Sequence, residues 1–494
     1  MGFKTDGSFL KFLTMGALGV HQTMQHLRDL GFQPIELERY CGSNKIWATK
    51  VKRLRLPDLL CVNSGLRMEV RAKTDLKIRM SDAPAKPDRI WDAGLRDEDV
   101  VAFIACVDTV GRPIPADTPV YFTVQALRTS VEQSKIGPPK SASEGAERDR
   151  TWPAIVPSRP GRVLEVTADK LVVEMHVDGE RVTRRQTYNL SGKSAYVTPG
   201  DTFLPDVTIL GGAPPALANL SRYLRRRYRP LEQIHAPNVV DRYAAVKALR
   251  YRDDPRAQVL PALEGVIAQE QEIRVKLEAA GSAASLGSAA GQDAILQHIW
   301  ANPERPDMRM EATFVLTELR DGPFSRAQLR RIADSNAFAG DEIRQAAVWG
   351  LGKTGVRSYA DLLPFIDDAE EDVALHAIAA FAEDTPITVI EALVRDLVTA
   401  HPRRAPAASE ALRIIGSPNV LETLVTVARA TTPPPKWVLA TLGRLQPIAV
   451  RQAIAGSALL EQISPMLLLA EGAHWLATED AATDIRFLLK QDVP

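Results

Sequence analysis

Asp58 and Glu69 lie on two short apolar runs, LPDLLCV and LRMEVRAK, separated by Asn63, Ser64 and Gly65. Asn and Gly tolerate positive φ, so the three intervening residues suit a tight hairpin. With the turn centred near Ser64, Asp58 falls within one residue of the position opposite Glu69, and directly opposed side chains have Cβ atoms roughly 4.5–5.5 Å apart. Two carboxylates that close repel unless they share a cation. Strand alternation then puts Glu69, Arg71 and Lys73 on one face. Two oxygen ligands beside two cations suit phosphodiester hydrolysis. The carboxylates would hold Mg²⁺, or Mn²⁺ in its place, which activates water and polarises a phosphoryl oxygen. A neighbouring cation would offset the charge that develops in the transition state.

Positioning such a hairpin requires a sheet and something packed against it. Residues Thr14 to Leu30 carry apolar side chains at helical spacing and stop at Gly31, which predicts a helix. The runs FQPIELERY, KIWATKV, RLPDLLCV, LRMEVRAKT and DVVAFIACV are short, apolar and bounded by turn residues, which predicts strands. The expectation is a mixed α/β domain over residues 1–128. Residues 129–152 are rich in Ser, Gly, Pro and charge and read as a linker or mobile loop. Alternation and turn signals over 153–212 predict a small antiparallel β-barrel or β-sandwich.

From 214 to 494 the strand signals vanish. Arg274, Arg309 and Arg344 recur every 35 residues within related helical segments, EIRVKLEAAG, MRMEATFVLT and EIRQAAVWGL. A period of that size predicts stacked helical hairpins, an all-α solenoid in which no hairpin covers its apolar face alone. DRYAAVKALRYRDDP, from Asp241, reads as the first copy. These segments resemble HEAT repeats, a resemblance that implies a curved binding scaffold and no chemistry of its own.

A chain of 494 residues exceeds one ordinary core, and no apolar run approaches the roughly 20 residues of a membrane span. Cys41, Cys61 and Cys106 are too scattered for a disulfide framework or a Cys-based zinc site, and the 8 histidines have no zinc-ligand spacing. With no secretion signal read at the N-terminus, these features lead to the expectation of a cytoplasmic protein. Lys plus Arg equal Asp plus Glu at 61 each, yet between Arg39 and Arg89 there are 13 basic against 5 acidic residues. That local excess is an electrostatic footprint for a polyanion.

Pro57-Asp58, ten intervening residues and then Glu69-Val70-Arg71 resemble the PD-(D/E)XK, or restriction-endonuclease-like, superfamily, as does the order of helix, strand, carboxylate hairpin and later strand. The resemblance spans about the first 128 residues. It implies a Mg²⁺-dependent endonuclease acting on nucleic acid, DNA preferentially, as in bacterial defence or repair. Asp58, Glu69 and the Val70 carbonyl would be metal ligands. Arg71 stands where the family carries lysine. Arginine keeps its proton and is no general base, so Lys73 would supply the ammonium or the charge would act only electrostatically. Glu38 is a weaker candidate for a third carboxylate. A dimer would supply the two sites that double-strand cleavage needs, and the solenoid could take a protein partner. The other reading of the same residues is a non-catalytic nucleic-acid-binding adaptor, with a degenerate nuclease domain and a scaffolding solenoid.

Among basic residues, Lys52, Arg53 and Arg55 flank the hairpin. Arg225, Arg226 and Arg227 fall in SRYLRRRYR with Tyr223 and Tyr228, and these six are the candidate phosphate contacts. For the arginine run, a solvated face or a cap on the first repeat fits equally well. Trp91 reads as a buried anchor of its loop more readily than as a stacking platform.

Overall fold

The computed structural model describes residues 7–38, 47–49, 54–109, 112–139, 147–176, 183–301, 304–319, 322–353 and 357–477. Contacts among them resolve two compact units: one holds the N-terminal residues to 38 together with 54–255, the other holds 47–49 together with the chain from Arg256 onward.

The first unit is built on a mixed sheet. Helix α1 (Gly7–Asp29) is followed by strands β1 (Pro34–Glu36), β2 (Leu59–Cys61), β3 (Leu66–Lys73), β4 (Arg79–Asp82), β5 (Val100–Thr109), β6 (Arg112–Pro115) and β7 (Val120–Thr123). β1, β2 and β3 pair antiparallel in sequence order. β3 then pairs parallel with β5, and β5 pairs antiparallel with both β6 and β7. Two strands hydrogen-bonded in parallel cannot be joined by a tight turn, so residues 74–99 form a crossover. That crossover carries β4 and a long loop.

Alternation sorts the side chains of the two central strands. Met68 and Val70 of β3, with Val100, Ala102 and Ile104 of β5, meet Val20, Met24 and Leu27 of α1 in one buried core. On the opposite face, Val101 and Phe103 of β5 pack with Phe122, Met80, Trp91 and Trp152. β3 presents Arg67, Glu69, Arg71 and Lys73 to that second face. A charged stripe on a strand flanked on both edges is costly to bury unless every charge is compensated.

Residues 129–152 are not simply a linker. β8 (Lys135–Ile136) and β9 (Arg148–Thr151) pair with each other, and β9 pairs antiparallel with β4. Arg150 Nε bonds the buried Asp82 at 2.7 Å, and Trp152 donates from Nε1 to the Leu127 carbonyl at 3.1 Å while its ring meets Trp91 edge-on. Polar composition misled here because the segment's buried partners lie some 70 residues upstream.

Beyond it, Gly161–Val166, Lys170–His176 and Thr183–Asn189 form an antiparallel meander edged by Thr202–Phe203. Ala154–Ile155, Ser194–Ala195 and Gly211–Gly212 form a second small antiparallel sheet.

The helix Val239–Ala248 folds with this unit although its sequence reads as the first helical repeat. Asp241 is drawn to the β3 stripe by Arg67, and the Lys247 ammonium, fully buried, donates to the Leu37 carbonyl.

The second unit is a region of many packed helices between Arg256 and Ala477. Small residues such as Ala280, Ala284, Ala312 and Ala347 occupy its core, where helices approach closely. Two of the periodic arginines repeat one job. Arg309 Nε donates to the Ile299 carbonyl and Arg344 Nε to the Ala333 carbonyl, each at the end of the preceding helix, where a cation offsets the negative end of the helix dipole. Arg274 instead pairs with Glu272 at the start of its own helix.

The described part of the expected strand KIWATKV is not a strand. Trp47 is buried among these helices, stacked on His376 with 5.0 Å between ring centroids and flanked by Phe314 and Trp349. The backbone N–H groups of Ala48 and Thr49 donate to the two oxygens of Glu342 at 2.5 and 2.6 Å. No helix among the described residues is long and apolar enough to cross a membrane.

Candidate active site

The β2–β3 register pairs Leu59 with Met68 and Leu60 with Arg67. Continued by one residue, it sets Asp58 opposite Glu69. The β2–β3 ladder ends at Leu59–Met68, and on that edge Asp58 Oδ2 accepts the Val70 N–H at 2.7 Å. Residues in a strand send N–H and C=O to the same edge, so the Val70 carbonyl leaves β3 on the side of Asp58. One strand edge thus gathers the Asp58 carboxylate and a backbone carbonyl, and the Glu69 side chain rises from the adjoining position.

Arg71, two residues on and on the same face, places Nη2 2.6 Å from Glu69 Oε1. Burial by itself would lower the arginine's pKa, but Glu69, Asp58, Glu147 and Glu38 together push it above the ordinary value. Arg71 is therefore a fixed cation among four carboxylates. Lys73 is four residues from Glu69, roughly 13 Å along the strand at 3.3 Å per residue, and its α-carbon pairs with Ala105. Arg71, not Lys73, stands beside Glu69.

A cleft of about 330 Å³ opens over this face, lined by Glu69, Arg71, Arg55, Arg89, Glu147 and Trp91 among others. Glu147 comes from the segment read as a linker and Arg89 from the crossover. Glu147 reaches the site because it adjoins β9, which pairs with β4, and Arg89 because the crossover turns back on itself, its carbonyl accepting from the Ala83 N–H at 3.0 Å. Trp91 is buried against Trp152, as an anchor.

The loop that walls the cleft is strapped down. Arg128 bonds Asp92 at 2.7 Å and Asp97 at 2.5 Å. Arg67, fully buried, chelates Asp99 through Nε and Nη2 and reaches Asp241 and the Gly94 carbonyl. Gly94 itself has φ +80°, and a Cβ there would lie 2.2 Å from the Arg55 carbonyl oxygen. Only glycine lets the loop close onto the chain leading to Asp58.

Of the other expected contacts, Arg55 lines the cleft, and Lys52 and Arg53 fall outside the described residues. Arg226 and Arg227 line a separate pocket, while Arg225 is exposed beside it. Cys61 and Cys106 are buried thiols, the latter pushed by burial to a pKa of about 12, so neither is poised as a nucleophile.

Among the described residues, no group of three or more His, Cys, Asp or Glu side chains is arranged to hold a metal. The donors present, two carboxylates and a strand carbonyl, are all hard oxygens and fit Mg²⁺ or Mn²⁺, which retain water in their remaining positions. No family model matches the chain, and no curated protein matches it.

Proposed function

We infer that the N-terminal unit is a metal-dependent nuclease of the PD-(D/E)XK type, hydrolysing phosphodiester bonds, with DNA as its preferred polymer. The observation that carries this reading is the Asp58–Val70 hydrogen bond, which holds a carboxylate at the strand edge beside Glu69 and the Val70 carbonyl. Asp58, Glu69 and the Val70 carbonyl would hold Mg²⁺, which supplies an acidified water and an electrophile for a phosphoryl oxygen. Arg71, paired to Glu69, would order that carboxylate and offset charge on the scissile phosphate as it develops. Arg55 and Arg89 would orient the strand across the cleft. The helical region, with its HEAT-like repeats, would serve as a scaffold for a protein partner or a further length of nucleic acid. Its many carboxylate-paired arginines favour the protein. Bacterial defence or repair is the setting that the resemblance suggests.

One observation favours the second reading, a nucleic-acid-binding adaptor without catalysis. Arg71 stands where the resemblance expects lysine and is locked to Glu69 at 2.6 Å, so among the described residues the cleft is lined by charge-neutralising guanidiniums and by no amine that could shed a proton. The readings separate in one panel: single- and double-stranded DNA and RNA incubated with purified protein in Mg²⁺, Mn²⁺ or EDTA, beside Asp58→Asn and Glu69→Gln. Metal-dependent cleavage lost in both variants supports the nuclease. Binding without cleavage under every metal sinks it and leaves the adaptor.

A further inference from the structure

We propose that Arg225, Arg226 and Arg227 form a phosphate clamp for a nucleic-acid backbone, held in fixed register with the carboxylate cleft by the tip of the β2–β3 hairpin. The proposal rests on the nucleic-acid reading above and adds where and how the polymer is gripped.

The first observation is charge left over. Many arginines in the chain are met by carboxylates, as Arg344 is by Asp368 and Glu370, and Arg404 by Asp367 and Asp396. Arg225 and Arg227 are exposed and make no hydrogen bond or ion pair among the described residues. Arg226 lies over the Tyr223 ring at 4.1 Å, a contact that orients the guanidinium and leaves its N–H edges for other acceptors. With Arg96, Glu98 and Tyr228, Arg226 and Arg227 line an open pocket of about 430 Å³. Arg96 is already engaged by Asp99, Glu98 and Asp241, so the uncompensated charge belongs to the run itself.

The second observation is attachment. Gly65 turns the hairpin at φ +71°, and a Cβ there would lie 2.6 Å from the Tyr228 ring, so Tyr228 is seated directly on the turn. Arg252 closes over Tyr228 at 5.9 Å and donates to the Val62 carbonyl at 2.7 Å, fastening the run to the end of β2. The clamp therefore rides on the element that carries Asp58 and Glu69. Four to six residues of β3 separate Gly65 from Glu69 and Arg71, roughly 13–20 Å. Along the axis of a B-form duplex each strand presents a phosphate about every 3.4 Å, so on a duplex the clamp would grip the backbone about four to six nucleotides from the cleft. The wall between them is continuous: Ala93 and Leu95 face the cleft, and Arg96 and Glu98 of the same loop face the pocket.

The test is binding in EDTA, which needs no catalysis. Fluorescently labelled 20-base-pair duplex DNA, single-stranded DNA and duplex RNA are titrated with the full chain from 50 to 300 mM KCl. Arg225→Ala/Arg227→Ala should bind its best probe tenfold to a hundredfold more weakly at 0.1 M salt. Its slope of log affinity against log salt on duplex should fall by about 1.8, since each lost phosphate contact removes about 0.9. Arg225→Lys/Arg227→Lys should retain the slope, and the tightest probe identifies the polymer. Wild-type affinity and slope in the alanine variant overturn the clamp, as does failure of wild type to bind any probe. Expected losses in binding with no cleavage under any metal would sink the nuclease reading and leave the clamp standing. Nucleic-acid cleavage that is lost in Glu69→Gln, with unchanged binding in the alanine variant, would do the reverse.

Discussion

Replacing Arg67 by methionine should loosen the cleft from beneath. Arg67 and Asp99 are each 1% exposed, and the guanidinium also reaches Asp241 at 2.7 Å and the Gly94 carbonyl at 3.4 Å. Methionine fills much of the same volume, so the loss is electrostatic: Asp99 remains buried with its chief counter-charge gone. Removing one partner of a buried pair costs about 3–5 kcal/mol. Arg96 still donates its backbone N–H to Asp99 at 2.7 Å and keeps a side-chain contact, which places the cost near the lower end, about 3 kcal/mol. For a unit of this size each kcal/mol moves the midpoint by about 2–4 °C, so the N-terminal transition in calorimetry should fall by about 6–12 °C. Arg67→Met combined with Asp99→Leu should recover more than half of that loss, because an apolar pair of matching volume can replace a buried ion pair at little cost. A single variant that loses less than 1 kcal/mol, or a double variant whose loss equals the sum of the singles, would refute the reasoning.

In the helical unit, Trp47→Ala empties a site walled by Phe314, Trp349 and His376 and should cost about 3–5 kcal/mol, read as a lower midpoint of that unit's own transition. His376 is pushed down to about 3 by burial and the nearby Lys353 ammonium. Its Nδ1 is buried and has no hydrogen-bond partner among the described residues. Because the unfolded chain takes up that proton near pH 6.5 and the folded one does not, stability is full above that pH and is lost as pH falls towards 3. Between pH 6.5 and 5 the loss should be about 1.6 kcal/mol. Burial depresses His298 as well, in the same direction. Urea titrations across that range should show the slope shallower in His376→Gln, and an unchanged slope would contradict a neutral, buried His376.

The hairpin and the all-helical character of the C-terminal region were legible because each depends on local patterns. Asn63 to Gly65 fix the turn, alternation fixes the face of Glu69 and Arg71, and apolar residues at helical spacing mark the helices. Long-range placement was not legible. Glu147 reaches the cleft because it adjoins β9, which pairs with β4, a contact no local signal announces. Trp47 has the apolar neighbours of a strand residue, yet its burial comes from rings roughly 270 to 330 positions away. Asp241 opens a segment with a repeat-like sequence, and what takes it into the first unit is long-range bonding, from Arg67 on β3 to Asp241 and from Lys247 to the Leu37 carbonyl. That an arginine follows Glu69 on the same face was visible in sequence. Its ion pair with Glu69, and the arrival of Glu147 nearby in the cleft, required the fold.

The most direct test of the account is a calorimetric titration of Mn²⁺ into the wild-type chain, Asp58→Asn and Glu69→Gln, with thermal melts confirming that all three are folded. One site per chain, weakened at least tenfold by either substitution, is the expected result. Wild-type protein that takes up no Mn²⁺ at millimolar concentration, or variants that bind it as well as wild type, would contradict the assignment of the β2–β3 edge as a metal-dependent catalytic site.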